Sequence, residues 1–317
     1  MKNRNRNDVV RVGRFLAALA VAVIVAWPAT PLRAADAAQK QFGSPEQAVD
    51  ALIAAVRSAR TPELLAIFGP QGKPLVESGD AVADKNGRAR FMASYEEGHS
   101  LATQPDGKIT LILGKDHWPF PIPLAKTGEA WRFDTAAGVE EILNRRIGRN
   151  ELSAIEVCRA YVDAQREYSA RDRNNDGLRE YAQHFTSHPD QHDGLYWPAK
   201  AGEEPSPMGA LVARARDEGY EKVGTRTKRE PYHGYYYRIL KRQGPHAPDG
   251  AHDYIVNNHM IGGFALVAFP AQYGASGVMT FIVNQDGVVY QKNLGPDTEQ
   301  IARQMKEYDP DPGWKGN

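Results

Sequence analysis

The chain of 317 residues holds a single cysteine, Cys158, so no disulfide can form within it. It contains no G-x-S-x-G elbow, no H-E-x-x-H and no phosphate-binding P-loop, which removes the most recognisable hydrolase, metalloprotease and nucleotide-binding signatures. It also lacks an excess of charge: 39 Lys and Arg stand against 39 Asp and Glu. The basic residues are scattered, which gives no support for nucleic acid as a partner. Only one apolar run is long, "FLAALAVAVIVAW" at 15–27. Those thirteen residues fall short of the roughly 20 that a spanning helix needs, so no transmembrane segment is expected in the mature chain.

That run reads as the core of an export signal. Lys2, Arg4, Arg6, Arg11 and Arg14 precede it, Pro28 and Pro31 break it, and Ala34, Ala35, Ala37 and Ala38 supply small residues for cleavage. No twin arginine marks the basic region, which favours general secretion. No cysteine stands at the cleavage region, which excludes lipid attachment there. We therefore assign 1–35 as a signal peptide and expect a periplasmic or secreted protein. Removing 1–34 leaves 33 of the 39 basic and 38 of the 39 acidic residues, a charge of −5. Cys158, on an apolar helix face, is expected to be buried and inert.

The remainder reads as an α+β chain in two parts. Ser44-Pro45-Glu46-Gln47 opens a helix with a cap, a proline at the first helical position and a capping box. Val49, Leu52, Ile53 and Val56 give it one apolar stripe. Thr61-Pro62 starts a second helix, ended by Gly69-Pro70, and Arg88 to Glu97 predicts a third. Strands follow at Ile109–Leu113 and around Trp131–Phe133. The intervening "WPFPIP" belongs at a sheet edge or outside it, because proline cannot donate to a ladder. A helix capped by Asp134-Thr135 is expected to stop at Gly148, and Asn150 to cap the next. The boundary between an N-terminal domain, 40–148, and a second domain, 149–317, is placed there. The second part reads as a long helix, an irregular middle and strands at Gly234–Arg242, Gly262–Pro270 and Val278–Asn284. Asp286-Gly287 would supply positive φ angles to a closing hairpin.

Three resemblances attach to these patterns. Helices followed by a curled antiparallel sheet look like the cone-shaped fold of nuclear-transport-factor-like proteins, which can enclose a small-molecule pocket. The helix "NELSAIEVCRAYVDAQREY", then "GFALVAFP" and "GVMTFIVNQDGVVY", resemble the globular part of type IV pilins and pseudopilins. The present helix is amphipathic and lacks the contiguous hydrophobic assembly segment of true pilins. Over the mature chain, "FGSPEQAVDAL", "DGLYWP", "PYHGYYYRIL" and "IGGFALVAFPAQYG" resemble an uncharacterised family of exported bacterial proteins. That resemblance implies export and the two-part layout, and no activity.

The sharpest chemical pattern is "DRNNDGLREYAQ" at 172–183. An EF-hand loop takes oxygens at positions 1, 3, 5, 7 and 9, glycine at 6 and a bidentate glutamate at 12. Asp172, Asn174, Asp176, the Leu178 carbonyl and Glu180 fit that order, with Gly177 at 6 and Gln183 at 12. The segment is either a weak structural calcium loop or a helix-terminal turn using the same residues for local bonds. His184, His188 and His192 recur every four residues, which would align three imidazoles for zinc on a helix. Pro189 prevents a continuous helix, so exposed or singly bonded histidines are the simpler expectation. Ser276 in "YGASG" reads as a turn residue. The aromatics of "GLYWP" and "PYHGYYY" would either pack internally or stack on a glycan or peptide.

These features favour a non-catalytic binding or assembly module of the cell envelope, meeting an envelope protein or glycan. One alternative is an envelope hydrolase with a site at the domain junction drawing on Glu180, His192, Asp193 and His233. Another is a small-ligand carrier using an apolar pocket in the N-terminal domain.

Overall fold

A computed structural model describes residues 39–173, 176–223, 225 and 230–317. The expected signal peptide and Asn174 of the 172–183 segment lie outside the described residues. The chain is α+β, as its patterns predict.

The first part begins with α1 (Pro45–Arg57), α2 (Thr61–Phe68), α3 (Lys73–Val76) and α4 (Ala81–Glu97). The Ser44 hydroxyl caps α1 by accepting from Gln47 N at 3.3 Å, while the Gln47 side chain accepts from Gly43 N at 3.1 Å. Gly69, at φ 70°, ends α2 where the sequence places the stop. The strands β1 (His99–Thr103), β2 (Ile109–Leu113), β3 (Trp118–Pro119), β4 (Leu124–Thr127) and β5 (Ala130–Phe133) form one antiparallel sheet. Its order is β1-β2-β4-β5, with two-residue β3 pairing to β2. The "WPFPIP" run thus contributes only a short pairing strand. Leu52, Ile67, Leu111, Leu113 and Phe133 are fully buried in the core between helices and sheet.

Next comes α5 (Thr135–Ser169), a single helix of 35 residues. Here the expectation of a stop at Gly148 and a new cap at Asn150 fails. Gly148 does not adopt positive φ, and good helix formers surround it. The Asn150 side chain donates to Ser276 O at 2.8 Å instead of capping. Both ends of the helix are also held by packing. Thr135 and Gly138 are buried near its start, while Ala154, Ile155, Cys158, Tyr161 and Val162 are buried in a second core. Packing at both ends outweighs the cost of one interior glycine, about 1 kcal/mol.

The second part continues with β6 (His184–Thr186), β7 (Gly194–Tyr196), α6 (Gly209–Asp217), β8 (Tyr235–Leu240), β9 (Arg242–Gln243), β10 (His252–Asp253), β11 (Ile255–Val256) and β12 (His259–Met260). It closes with β13 (Ala265–Pro270), β14 (Met279–Asn284), β15 (Tyr290–Asn293), α7 (Thr298–Gln304) and β16 (Lys315–Gly316). The sheet runs β16-β15-β14-β13-β8, all antiparallel. Residues Ala265 to Pro270 are buried throughout, because α5 and α7 both pack against this sheet. Between β14 and β15 only Gly287 has positive φ, at 81°, so Asp286 does not take the turn role expected of it. The connection is longer than a two-residue hairpin, and one left-handed residue suffices.

Thr280 Oγ1, buried in β14, has no hydrogen-bond partner among the described residues, while other buried polar groups tie elements together. Gln165 is fully buried, donates to Ala182 O at 2.8 Å and accepts from Ala182 N at 2.8 Å. It thereby fixes α5 to the segment leading into β6. Asp80, 1% exposed, ties the two parts together. Its carboxylate caps α4 through Ala83 N at 2.9 Å, and accepts from Tyr220 Oη at 2.9 Å and Gly234 N at 2.8 Å.

Candidate functional site

Helix α4 is the odd element of the first part. None of its residues is buried, although Phe91, Met92 and Tyr95 lie partly covered against the first core. The reason is a cavity of about 930 Å³ beneath it. The floor is the outer face of the first core: Leu52, Val56, Phe68, Leu113 and Phe120. One wall is α4, through Ala83, Gly87, Phe91 and Ser94. The other is α5, whose Ile142, Arg145, Arg146, Arg149, Leu152 and Ser153 line it at the three- and four-residue spacing of one helix face. Leu152 stays 65% exposed at the mouth. Glu218, Tyr220 and His233 close the remaining side. A Cβ built on Gly87 meets nothing within 4 Å, so α4 borders open space there.

The polar rim is strongly biased. Five guanidinium groups, of Arg88, Arg90, Arg145, Arg146 and Arg149, face two carboxylates, of Asp84 and Glu218. Arg146 donates to Pro74 O and Leu75 O, each at 2.7 Å, and so anchors α5 to α3. Burial lowers its pKa, Asp84 opposes this, and Arg149 adds to it. Burial likewise lowers Arg149, and the charges of Arg90 and Arg145 lower it further. These groups remain protonated at any ordinary pH, so like charges are held together at the edge of an apolar hollow. Arg145 pairs with Glu141 at 2.6 Å and lies over the Trp118 ring at 5.7 Å. Among the described residues Arg149 has no ion pair. Burial raises the Asp84 pKa, opposed by its hydrogen bond from Ser78 N at 3.0 Å and by Arg146. Opposite, His233 meets the Glu218 carboxylate at 2.6 Å from a backbone at φ 51°.

The residues singled out from sequence fall in separate places. Of Glu180, His192, Asp193 and His233, only His233 lines the cavity. Glu180 faces His259 at 3.2 Å, His192 stacks on Trp197 with centroids 4.3 Å apart, and Asp193 meets His188 at 2.5 Å. In the 172–183 segment, Asp172 accepts from Gly177 N at 2.9 Å and Asp176 from Leu178 N at 2.8 Å, around Gly177 at φ 89°. His259 reaches both Asp176, at 3.5 Å, and Glu180. Gln183, the residue at position 12, donates to Asn258 O at 2.6 Å and accepts from Lys241 at 3.3 Å. Asp176, Glu180 and His259 form one potential cation-holding group, and His184, His188 and Asp193 another. The second replaces His192 of the sequence pattern with its neighbour, because 188–193 turns back as a loop. Burial raises the Asp193 pKa, but bonds from His188 and the charges of His188 and His184 win and hold it below its usual value.

Other expectations are met. Cys158 is buried, and burial pushes its thiol up to about 12. Ser276 exchanges hydrogen bonds with the Gln272 backbone, at 2.9 and 3.1 Å, inside a turn. Tyr196, Trp197, Tyr232 and Tyr235 are buried, so these aromatics pack internally. The cavity arginines were missed, although "ILNRRIGRNEL" spaces Ile142, Arg145, Arg149 and Leu152 as one helix face. Reading Gly148 as a stop hid that spacing.

No helix among the described residues is long and apolar enough to cross a membrane. No curated protein and no solved structure matches the chain. The family described as "Protein of unknown function (DUF2950)" matches residues 39–316, and the chain belongs to that family.

Proposed function

We propose that the protein is an exported carrier or binding module for a small amphipathic anion, held in the cavity between α4 and α5. The observation that supports this is the pairing of an apolar floor with five arginines at the rim of one 930 Å³ hollow. That volume is in the range of small-molecule sites, which combine apolar walls with a few polar groups that orient the ligand. An acyl or other hydrocarbon portion would lie on Leu52, Phe68, Leu113 and Phe120. A carboxylate, sulfate or phosphate head would relieve the repulsion among Arg90, Arg145 and Arg149 and accept from their fork-shaped donors. Nothing in this reading requires catalysis. The 172–183 segment enters as a structural calcium tie between the end of α5 and the strands beyond it. On that reading Asp176→Ala abolishes any calcium-dependent rise in melting temperature. Calcium that leaves the wild-type melting temperature unchanged removes the metal and leaves a turn.

The test of the carrier reading is displacement of anilinonaphthalene sulfonate by a series from hexyl to dodecyl phosphate. Each added methylene contributes about 0.8 kcal/mol when buried, so affinity should rise about fourfold per carbon until the floor is covered. Affinity independent of chain length would remove the apolar floor from recognition and sink the proposal.

A further inference from the structure

We propose that His184, His188 and Asp193 form a binding site for one transition-metal dication of the zinc class, distinct from the cavity and from the 172–183 segment. The three side chains each offer a ligand atom, and these atoms lie within 4.8 Å of one another. His184 lies in β6, and His188 and Asp193 lie in the loop that joins β6 to β7. β6 and β7 pair in parallel, with His184 opposite Gly194. A Cβ on Gly194 would stand 2.6 Å from Ser187 N and 2.7 Å from Thr186 C, so only glycine lets the strands approach this closely. The loop between them folds back through Pro189 and Asp190, the latter at φ 59°. It is locked by His188 N donating to Asp193 Oδ1 at 2.8 Å and by Gly194 N donating to Ser187 Oγ at 3.0 Å.

The donor set decides the class of ion. Two imidazoles and one carboxylate suit zinc, cobalt, nickel or iron, whereas calcium and magnesium take oxygen ligands. Three protein ligands leave a fourth position open in a tetrahedral site. Bonds of about 2.0–2.1 Å to nitrogen and oxygen place tetrahedral ligand atoms roughly 3.3 Å apart. The observed spacing is therefore within a side-chain rotation of that geometry. The rings of His184 and His188 are 5.2 Å apart at centroids, and the His188 and Asp193 side chains are 41% and 35% exposed, so an ion can enter from solvent.

Cobalt(II) titrated into the full mature chain tests the site through its visible absorption. We expect one equivalent to bind, with zinc displacing it. His184→Ala and Asp193→Asn should each weaken binding by at least about 10-fold, since losing a ligand costs no less than losing a ligand's outer partner, and His259→Ala should leave it unchanged. Asp193→Asn keeps an acceptor for His188 N, so the loop survives the substitution. Absence of cobalt binding to the wild type at up to millimolar metal overturns the proposal. So does binding that persists in both site variants or disappears only with His259→Ala.

Discussion

Gly87 and Asp84 carry the most local consequences of the cavity. Gly87 stands inside α4 without positive φ and with open space where a side chain would go. Gly87→Ala should stabilise the protein by about 0.5–1 kcal/mol through helix propensity alone, read from chemical denaturation. Gly87→Phe should instead occupy the hollow and weaken alkyl phosphate binding at least tenfold without unfolding α4. Asp84 ionises beside the cavity at a cost, since burial raises its pKa in the folded state. A raised carboxyl pKa means that the native state holds its proton more readily than the unfolded chain. Its contribution to stability is therefore complete below the unfolded value of 3.8 and is lost as pH rises through the higher folded value. Asn mimics the protonated form and still accepts from Ser78 N. Asp84→Asn should thus melt higher than wild type at neutral pH, with the difference vanishing toward acid. It should also bind an anion more tightly. A variant that melts lower at neutral pH would show that the carboxylate stabilises by pairing with Arg146 instead.

Helices and strands with one clean signal were legible. Ser44-Pro45 opens α1, Gly69 closes α2, and β2 occupies the five residues that read as a strand. Helix α5 was not, because a glycine followed by Asn looks locally like a stop and a cap. What overrides it is packing at both ends of the helix, which no local window contains. Gly148 also has open space around a built Cβ. Gly148→Ala should therefore stabilise by about 1 kcal/mol. Gly148→Pro should destabilise by about 3 kcal/mol or more by breaking the helix, and should disperse the arginine row as well. Equal melting temperatures for the two variants would contradict a continuous α5. The metal-type group shows the same limit. His184 and His188 were visible as a pair, but the third member depends on how 188–193 turns, and the loop presents Asp193 where a helix would have presented His192.

Among the described residues, the two larger apolar cores and a small third cluster around Val157, Ala215, Tyr220 and Tyr232 pack along α5, and buried polar bonds centred on Asp80 join the two parts. The α+β class and the order of elements could be read from patterning, while the cavity could not, since its lining comes from segments spanning residues 52 to 233. Export and calcium rest on residues whose sequence, rather than placement, carries the argument. The cavity's preference for an amphipathic anion is the central claim. Its most direct test is calorimetric titration of the mature chain with dodecyl phosphate and with dodecyltrimethylammonium, which share a tail and differ in the sign of the head. Dodecyl phosphate should bind with one-to-one stoichiometry and at least tenfold more tightly, and Arg149→Ala should reduce that preference. Equal affinity for the two, or tighter binding of the cation, would contradict it.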